Sequence, residues 1–169
     1  TKDSVHGQWN KQGASLMSAN IALARLEVPY VPPDEYKLTI VARKKDRNFA
    51  PHIGLVVNGR QFLVILADGS SGLDRLDGKL YRLNETTNKA TVFGAKLVHH
   101  IECTVTKDRI VIECNGKTVI DYSGKMERLS NEWPVRRKDT LFLGGWSDNV
   151  YGIEKLELLP ISGEGKSLR

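Results

Sequence analysis

Between Leu97 and Tyr122 apolar residues recur largely at every second position: Val98, Ile101, Cys103 and Val105, then Ile110, Ile112 and Cys114, then Val119. A period of two belongs to strands with one buried face. Thr106-Lys107-Asp108-Arg109 and Asn115-Gly116 separate the segments, so the stretch predicts a three-stranded meander. Asn-Gly is a strong short hairpin signal, because a type I′ turn needs positive φ at both central residues, which Asn tolerates and Gly adopts freely. If Lys107-Asp108 centres the first turn, Cys103 faces Ile112; if Asp108-Arg109 does, the two cysteines sit opposite each other. In the second hairpin the Asn115-Gly116 turn predicts Val111 opposite Ile120 and Glu113 opposite Thr118.

The same pattern predicts strands near Gly7 to Asn10, Ser15 to Ser18, Leu23 to Val28, Tyr36 to Arg43, His52 to Val57 and Gln61 to Leu66. Later strands are expected at Lys96 to Thr106, Arg109 to Cys114, Thr118 to Tyr122, Leu141 to Trp146 and Gly152 to Leu159. Asn58-Gly59 is a second type I′ candidate, joining two apolar strands that read as central and buried on both faces. Pro29, Pro32 and Pro33 mark a corner before the Tyr36 strand, since proline fixes φ and donates nothing to a ladder. Helical spacing is nearly absent, with one turn possible at Met126 to Leu129. The expected fold is therefore all-β, an antiparallel β-sandwich of about 11 to 14 strands in two sheets.

The longest irregular stretch runs from Ala67 through Gly94 and is rich in hydroxyl, amide and carboxylate groups. Loops of that length in a small domain commonly carry function. After Pro160 the sequence Ser-Gly-Glu-Gly-Lys-Ser-Leu-Arg follows Ile161, so residues 1–160 are expected to form one sandwich domain and 161–169 a linker or tail.

Composition narrows the function classes. The chain has 169 residues, 40% hydrophobic and 27% charged, with a formal net charge of +5. This fits one soluble domain, and no apolar run approaches the roughly 20 residues of a bilayer-crossing helix. The chain starts Thr-Lys-Asp-Ser without an initiator Met, which suggests one module of a larger protein. Cys103 and Cys114 read as two buried thiols, because disulfide geometry tolerates little misregister. Arg43-Lys44-Lys45 and Arg136-Arg137-Lys138 lack interleaved aromatics and read as solvated turns, so no nucleic-acid partner is expected.

Catalytic constellations are hard to find. No paired carboxylates stand on one strand face, as glycoside hydrolysis asks: Glu154 and Glu157 are three apart and face opposite ways. Ser71 lacks a nucleophile elbow. His99 and His100 point to opposite faces of a strand and cannot chelate one metal together. His52 reads as a rim or core histidine. Asp68, Asp77, Asp148 and Asn149 are loop oxygens of a type calcium accepts, without an Asp-x-Asp-x-Asp spacing. The expectation is no cofactor, with calcium the one metal left open.

Aromatics say more. Sugar rings stack their C–H faces on Trp or Tyr while Asn, Asp, Glu and Arg hydrogen-bond the hydroxyls. Trp146-Ser147-Asp148-Asn149 closes the Leu141 strand and so clusters an indole with polar side chains at one sheet end. Trp9 reads as packing, and Trp133, in a loop before Pro134, reads either way. The candidate ligand-binding set is Trp146, Asp148, Asn149, Asn84, Glu85, Arg43, Gln61 and Arg82, on strand ends and long loops.

Gly7-Gln8-Trp9, Val28-Pro29-Tyr30-Val31-Pro32-Pro33-Asp34-Glu35-Tyr36, Gly54-Leu55-Val56-Val57-Asn58-Gly59-Arg60-Gln61, Ser71-Gly72-Leu73 and Asn84-Glu85-Thr86 form a series. Asp77-Gly78-Lys79, Asn115-Gly116-Lys117, Ile120-Asp121-Tyr122, Leu141-Phe142-Leu143-Gly144 and Ile153-Glu154-Lys155-Leu156-Glu157-Leu158 complete it. The series resembles the concanavalin A-like jelly roll of laminin-G-type domains, and particularly the 3-keto-disaccharide hydrolase-like domains of planctomycete-type bacteria. These motifs specify turns and strand edges more than chemistry, and no catalytic motif of that family is matched. The resemblance implies a carbohydrate-facing sandwich, often a module of a secreted or surface protein. The expected function is a non-catalytic carbohydrate-binding module for a polysaccharide or oligosaccharide, extracellular or at the cell surface. Its rivals are a glycoside-processing enzyme, with Glu85, Asp148 or His52 as acid or base, and a laminin-G-like protein-interaction module.

Overall fold

The computed structural model describes residues 2–45, 48–147 and 149–169. Three short strands open the chain, β1 (Ser4–His6), β2 (Asn10–Gln12) and β3 (Ser15–Met17), followed by β4 (Ala24–Val28) and β5 (Tyr30–Val31). Then come β6 (Glu35–Lys44), the hairpin of β7 (His52–Val57) and β8 (Arg60–Ile65), and β9 (Gly72–Asp74). The meander is β10 (Val98–Val105), β11 (Ile110–Cys114) and β12 (Lys117–Tyr122), and a 3-10 turn spans Met126–Arg128. The chain closes with β13 (Leu141–Gly145), β14 (Tyr151–Ser162) and β15 (Lys166–Ser167).

One sheet has the order β1-β4-β13-β7-β8-β9 and the other β12-β11-β10-β6-β14-β3-β2, with β15-β5 as a small ribbon; every pairing is antiparallel. The result is a two-sheet β-sandwich jelly roll. In the second sheet Tyr36, Leu38, Ile40 and Ala42 of β6 alternate inward with Ile101, Cys103 and Val105 of β10. They pack on Ile53, Leu55, Phe62, Val64, Leu141 and Leu143 of the first sheet.

Two tyrosines tie the layers together. The buried Tyr36 hydroxyl donates to Val56 O and accepts from Val56 N, both at 3.0 Å. Those backbone groups lie beyond the reach of β13, whose pairing with β7 stops at Phe142↔Gly54. Tyr151 donates its hydroxyl to Gly144 O at 2.8 Å, and its ring meets Trp9 edge to face. Trp9 is thus fully buried packing.

Both Asn-Gly turns take the left-handed backbone that type I′ needs, with φ of 50° and 71° at Asn58 and Gly59, and 53° and 77° at Asn115 and Gly116. In the first meander hairpin Cys103 faces Ile112, so Lys107-Asp108 centres that turn, and both thiols are free and buried. The second hairpin departs from the simple register. Glu113 pairs with Thr118, but Val111 faces Asp121 rather than Ile120, because a bulge falls between Ile112 and Glu113. The extra residue lets the neighbours Val119 and Ile120 both be buried, which a regular strand with alternating faces forbids.

Near the start, the expected Gly7 to Asn10 strand is replaced by β1 and β2 on either side of it, belonging to different sheets. The expected tail carries structure too: β14 continues to Ser162, Lys166 and Ser167 pair with Val31 and Tyr30, and Leu168 N donates to Pro29 O.

Candidate functional site

The outward face of the first sheet is apolar in its middle. Its side chains run in two rows across the strands, Arg25-Gly144-His52-Ile65-Gly72 and Glu27-Phe142-Gly54-Leu63-Asp74. Leu63, Ile65, Phe142 and Trp133 form a second apolar cluster here, separate from the core between the sheets. Glycines make the close packing possible. A Cβ on Gly54 would stand 1.9 Å from the Phe142 ring, and one on Gly144 would meet Trp133 at 3.2 Å and Ala24 O at 2.7 Å.

The segment between the 3-10 turn and β13 crosses this face as a strap. Gln61 holds it, donating from Nε2 to Thr140 O at 2.6 Å and accepting at Oε1 from Asn131 at 2.7 Å. Lys138 Nζ donates to Asn131 O, and Arg136 donates to the carbonyls of Lys2 and Ser4. The strap lays the Trp133 indole over the sheet, its centroid 5.0 Å from the His52 ring and 5.9 Å from the Arg25 guanidinium. Burial pushes His52 down to about 4, so it is a neutral imidazole donating Nδ1–H to Ala50 O at 2.8 Å. Arg25 Nε and Nη1, Glu27 Oε2 and Asp74 Oδ1 are buried on this face without a hydrogen-bond partner among the described residues.

Where the strap ends, the face opens into a groove of about 360 Å³. Ile65, the aromatics Trp133, Trp146 and Tyr81, and Leu80 and Arg82 line it. Asp74, Arg75 and Glu132 supply the polar side. Trp146 meets Trp133 edge to face at 6.3 Å and is 48% exposed, so one indole is anchored and the other is free to be covered. Asp74 is 5% exposed; burial raises its carboxyl above the usual range, while Arg75 and a backbone hydrogen bond from Tyr81 oppose the shift. Arg75 bridges the acids, with Nη2 2.8 Å from Glu132 Oε2 and Nε 4.0 Å from Asp74 Oδ2. Its backbone is left-handed, φ 57°, costly for a side chain of this size and typical of places where geometry is held for function.

Of the candidate residues read from sequence, the structure brings Trp146 and Arg82 into this groove. Asp148 lies outside the described residues. Asn149 is buried in a reciprocal pair with Ala50, accepting from its N–H at 2.8 Å and donating to its O at 2.6 Å. Gln61 anchors the strap. Arg43 stands on the other sheet, bonded to Glu154 at 2.5 Å. Glu85 pairs with Arg128 at 2.8 Å.

Asn84 braces the loop that carries Tyr81 and Arg82. Its Nδ2 donates to the carbonyls of Leu73, Lys79 and Leu80, and its Oδ1 accepts from Thr86 N and Oγ1. Asp68 and Asn88 do the same for the rest of the long loop: Asp68 accepts from the amides of Val92, Phe93 and Gly94, and Asn88 donates to Val119 O. Of the described oxygens considered for calcium, Asp68 is bonded to the loop amides, Asn149 to Ala50 and Asp77 to Arg128. Among the described residues no group of three or more His, Cys, Asp or Glu could hold a metal ion.

Sequence reasoning missed Asp74, Arg75, Tyr81 and Glu132. The signal available was Leu73-Asp74-Arg75-Leu76, apolar residues flanking a charged pair inside a stretch that otherwise reads as loop.

This architecture, two antiparallel sheets with a jelly-roll order, is the concanavalin A-like lectin fold. Three solved structures share it at low identity. The carbohydrate binding module CBM66 from Bacillus subtilis is 13% identical with a TM-score of 0.63, covering 92% of both chains. The exoplasmic/lumenal domain of VIP36, in a Ca2+/Man3GlcNAc-bound form, is 10% identical with a TM-score of 0.62, covering 94% of this chain and 84% of its own. The galectin LEC-6 of Caenorhabditis elegans is 12% identical with a TM-score of 0.53, covering 94% and 97%. The chain matches no protein-family model and no curated relative.

Proposed function

We propose that the protein is a non-catalytic carbohydrate-binding module and that the groove at Trp146 is where it holds a glycan. The observation that carries this reading is the half-exposed Trp146 indole, set edge to face on the buried Trp133 in a groove of about 360 Å³ that Tyr81 and Arg82 also line. A sugar ring stacks its C–H face on the free indole, and Asp74 Oδ1, which has no hydrogen-bond partner among the described residues, with the fixed Arg75–Glu132 pair receives hydroxyls. Solved neighbours named as a carbohydrate binding module and a mannose-glycan-bound domain support the reading. A role as one module of a larger extracellular or surface protein belongs with it. Affinity electrophoresis over a polysaccharide panel tests it: the protein is retarded in at least one gel, and Trp146→Ala abolishes the retardation with unfolding unchanged. Free migration in every gel overturns it.

A second reading, an enzyme of the 3-keto-disaccharide hydrolase-like kind, is favoured by one observation: a buried carboxyl raised by desolvation, Asp74, stands across Arg75 from the exposed Glu132. Two carboxyls in unlike surroundings, one buried and one exposed, are the kind of pair that glycoside cleavage uses. New reducing ends released from a bound glycan, and lost in Asp74→Asn, would establish it.

A further inference from the structure

We infer that the glycan held in this groove is an acidic one, whose sugar carboxylate is received by Arg82; the inference rests on the glycan-binding reading above. The starting point is how the arginines are used. Arg43, Arg75, Arg109, Arg128, Arg137 and Arg169 each pair with a carboxylate. Arg82 pairs with none among the described residues. It is nonetheless held in place: its Nε donates to the Tyr81 hydroxyl at 2.7 Å, and its guanidinium carbon lies 5.1 Å from the centroid of the Tyr81 ring. With Nε engaged, the two terminal nitrogens remain, and together they offer the end-on fork that a planar carboxylate accepts with two parallel hydrogen bonds. Fixing the side chain on Tyr81 removes in advance much of the rotamer freedom that an exposed arginine loses on binding.

The surroundings agree. Glu132, the exposed acid of the groove, is neutralised by Arg75 at 2.8 Å, and burial holds the Asp74 carboxyl towards its uncharged form. Among the described residues that line the groove, Arg82 is the cation with no carboxylate partner. Leu80, 40% exposed, and Trp146, 48% exposed, line the same groove, which therefore offers surface both to an apolar sugar face and to an anionic substituent. A formal net charge of +5 draws a polyanion towards the molecule before any specific contact forms.

The test is affinity electrophoresis and calorimetry against polygalacturonate, alginate and hyaluronan, each compared with its methyl-esterified counterpart, which keeps the backbone and loses the charge. Binding to at least one acidic polymer is expected to fall about tenfold on esterification and about tenfold in Arg82→Gln, with Arg82→Lys between. The charge-matched control Arg60→Gln, an exposed arginine outside the groove, is expected to change affinity less than about twofold. Equal binding of the esterified polymer, or equal losses in Arg60→Gln and Arg82→Gln, overturns the inference. Binding only to neutral glycans, lost in Trp146→Ala, overturns the acidic assignment and leaves the carbohydrate reading standing, whereas binding to no glycan removes both.

Discussion

The two outward faces of the sandwich are built on different principles. On the β10-β6-β14 sheet the outward side chains are charged and pair with their neighbours in water: Lys37 with Glu102 at 2.7 Å, Arg109 with Asp121 at 2.6 Å, Lys155 with Glu157 at 2.8 Å. On the β13-β7-β8 sheet they are Leu63, Ile65 and Phe142, beneath a strap and a tryptophan, with Arg25, Glu27 and Asp74 buried and incompletely bonded. The first arrangement keeps a face soluble at little energetic consequence. The second leaves desolvated polar atoms beside half-exposed aromatic surface, a combination that costs stability unless something binds there. The difference is what makes the strapped face the candidate for binding.

Four measurements sharpen that contrast, from the largest expected effect to the smallest. Trp133→Ala removes the indole that seals the strapped face, and chemical denaturation should show a loss of about 3–5 kcal/mol, as for buried aromatics generally. Acid comes next. His52 is neutral in the folded state with its value lowered to about 4 from 6.5, so between those values the unfolded chain binds a proton that the native one refuses. Stability contributed by neutral His52 is present above pH 6.5 and falls as pH drops to about 4, by about 3 kcal/mol in all. Unfolding curves across that window should show the decline, and His52→Gln should flatten it. Trp146→Ala should lower glycan affinity at least about tenfold while shifting stability by less than about 1 kcal/mol, because its indole is already half in water. Last, Lys37→Ala on the opposite face should cost at most about 1 kcal/mol and leave glycan binding intact. If Lys37→Ala weakened binding as Trp146→Ala does, the assignment of the site to one face would fail.

Much of the sandwich was legible in the chain, and the limits have physical causes. Alternation together with two Asn-Gly turns announced β7-β8 and β10-β11-β12, because such turns admit few backbone geometries and thereby set register. The β11-β12 bulge was invisible because consecutive Val119 and Ile120 satisfy a regular pattern equally well until a core exists to bury both. Strand β9, three residues inside a polar stretch, has no period to read. The candidate site was partly legible. Trp146 and Arg82 stood out by type, but Asp74, Arg75, Tyr81 and Glu132 converge from distant parts of the chain and owe their character to burial. Asn84 and Gln61 carry the same amide chemistry as ligand-binding residues, and only their backbone partners reveal that they are fasteners.

The internal bonds of Asn84 have an evolutionary corollary. Because one amide cross-braces Leu73 of β9 with Lys79, Leu80 and Thr86, the segment Leu80-Tyr81-Arg82-Leu83 is tied to the sheet edge through a single side chain as well as through the packing of Tyr81. With Asn84 kept as the brace, those four positions can drift or be varied in a directed library while the sandwich keeps its shape.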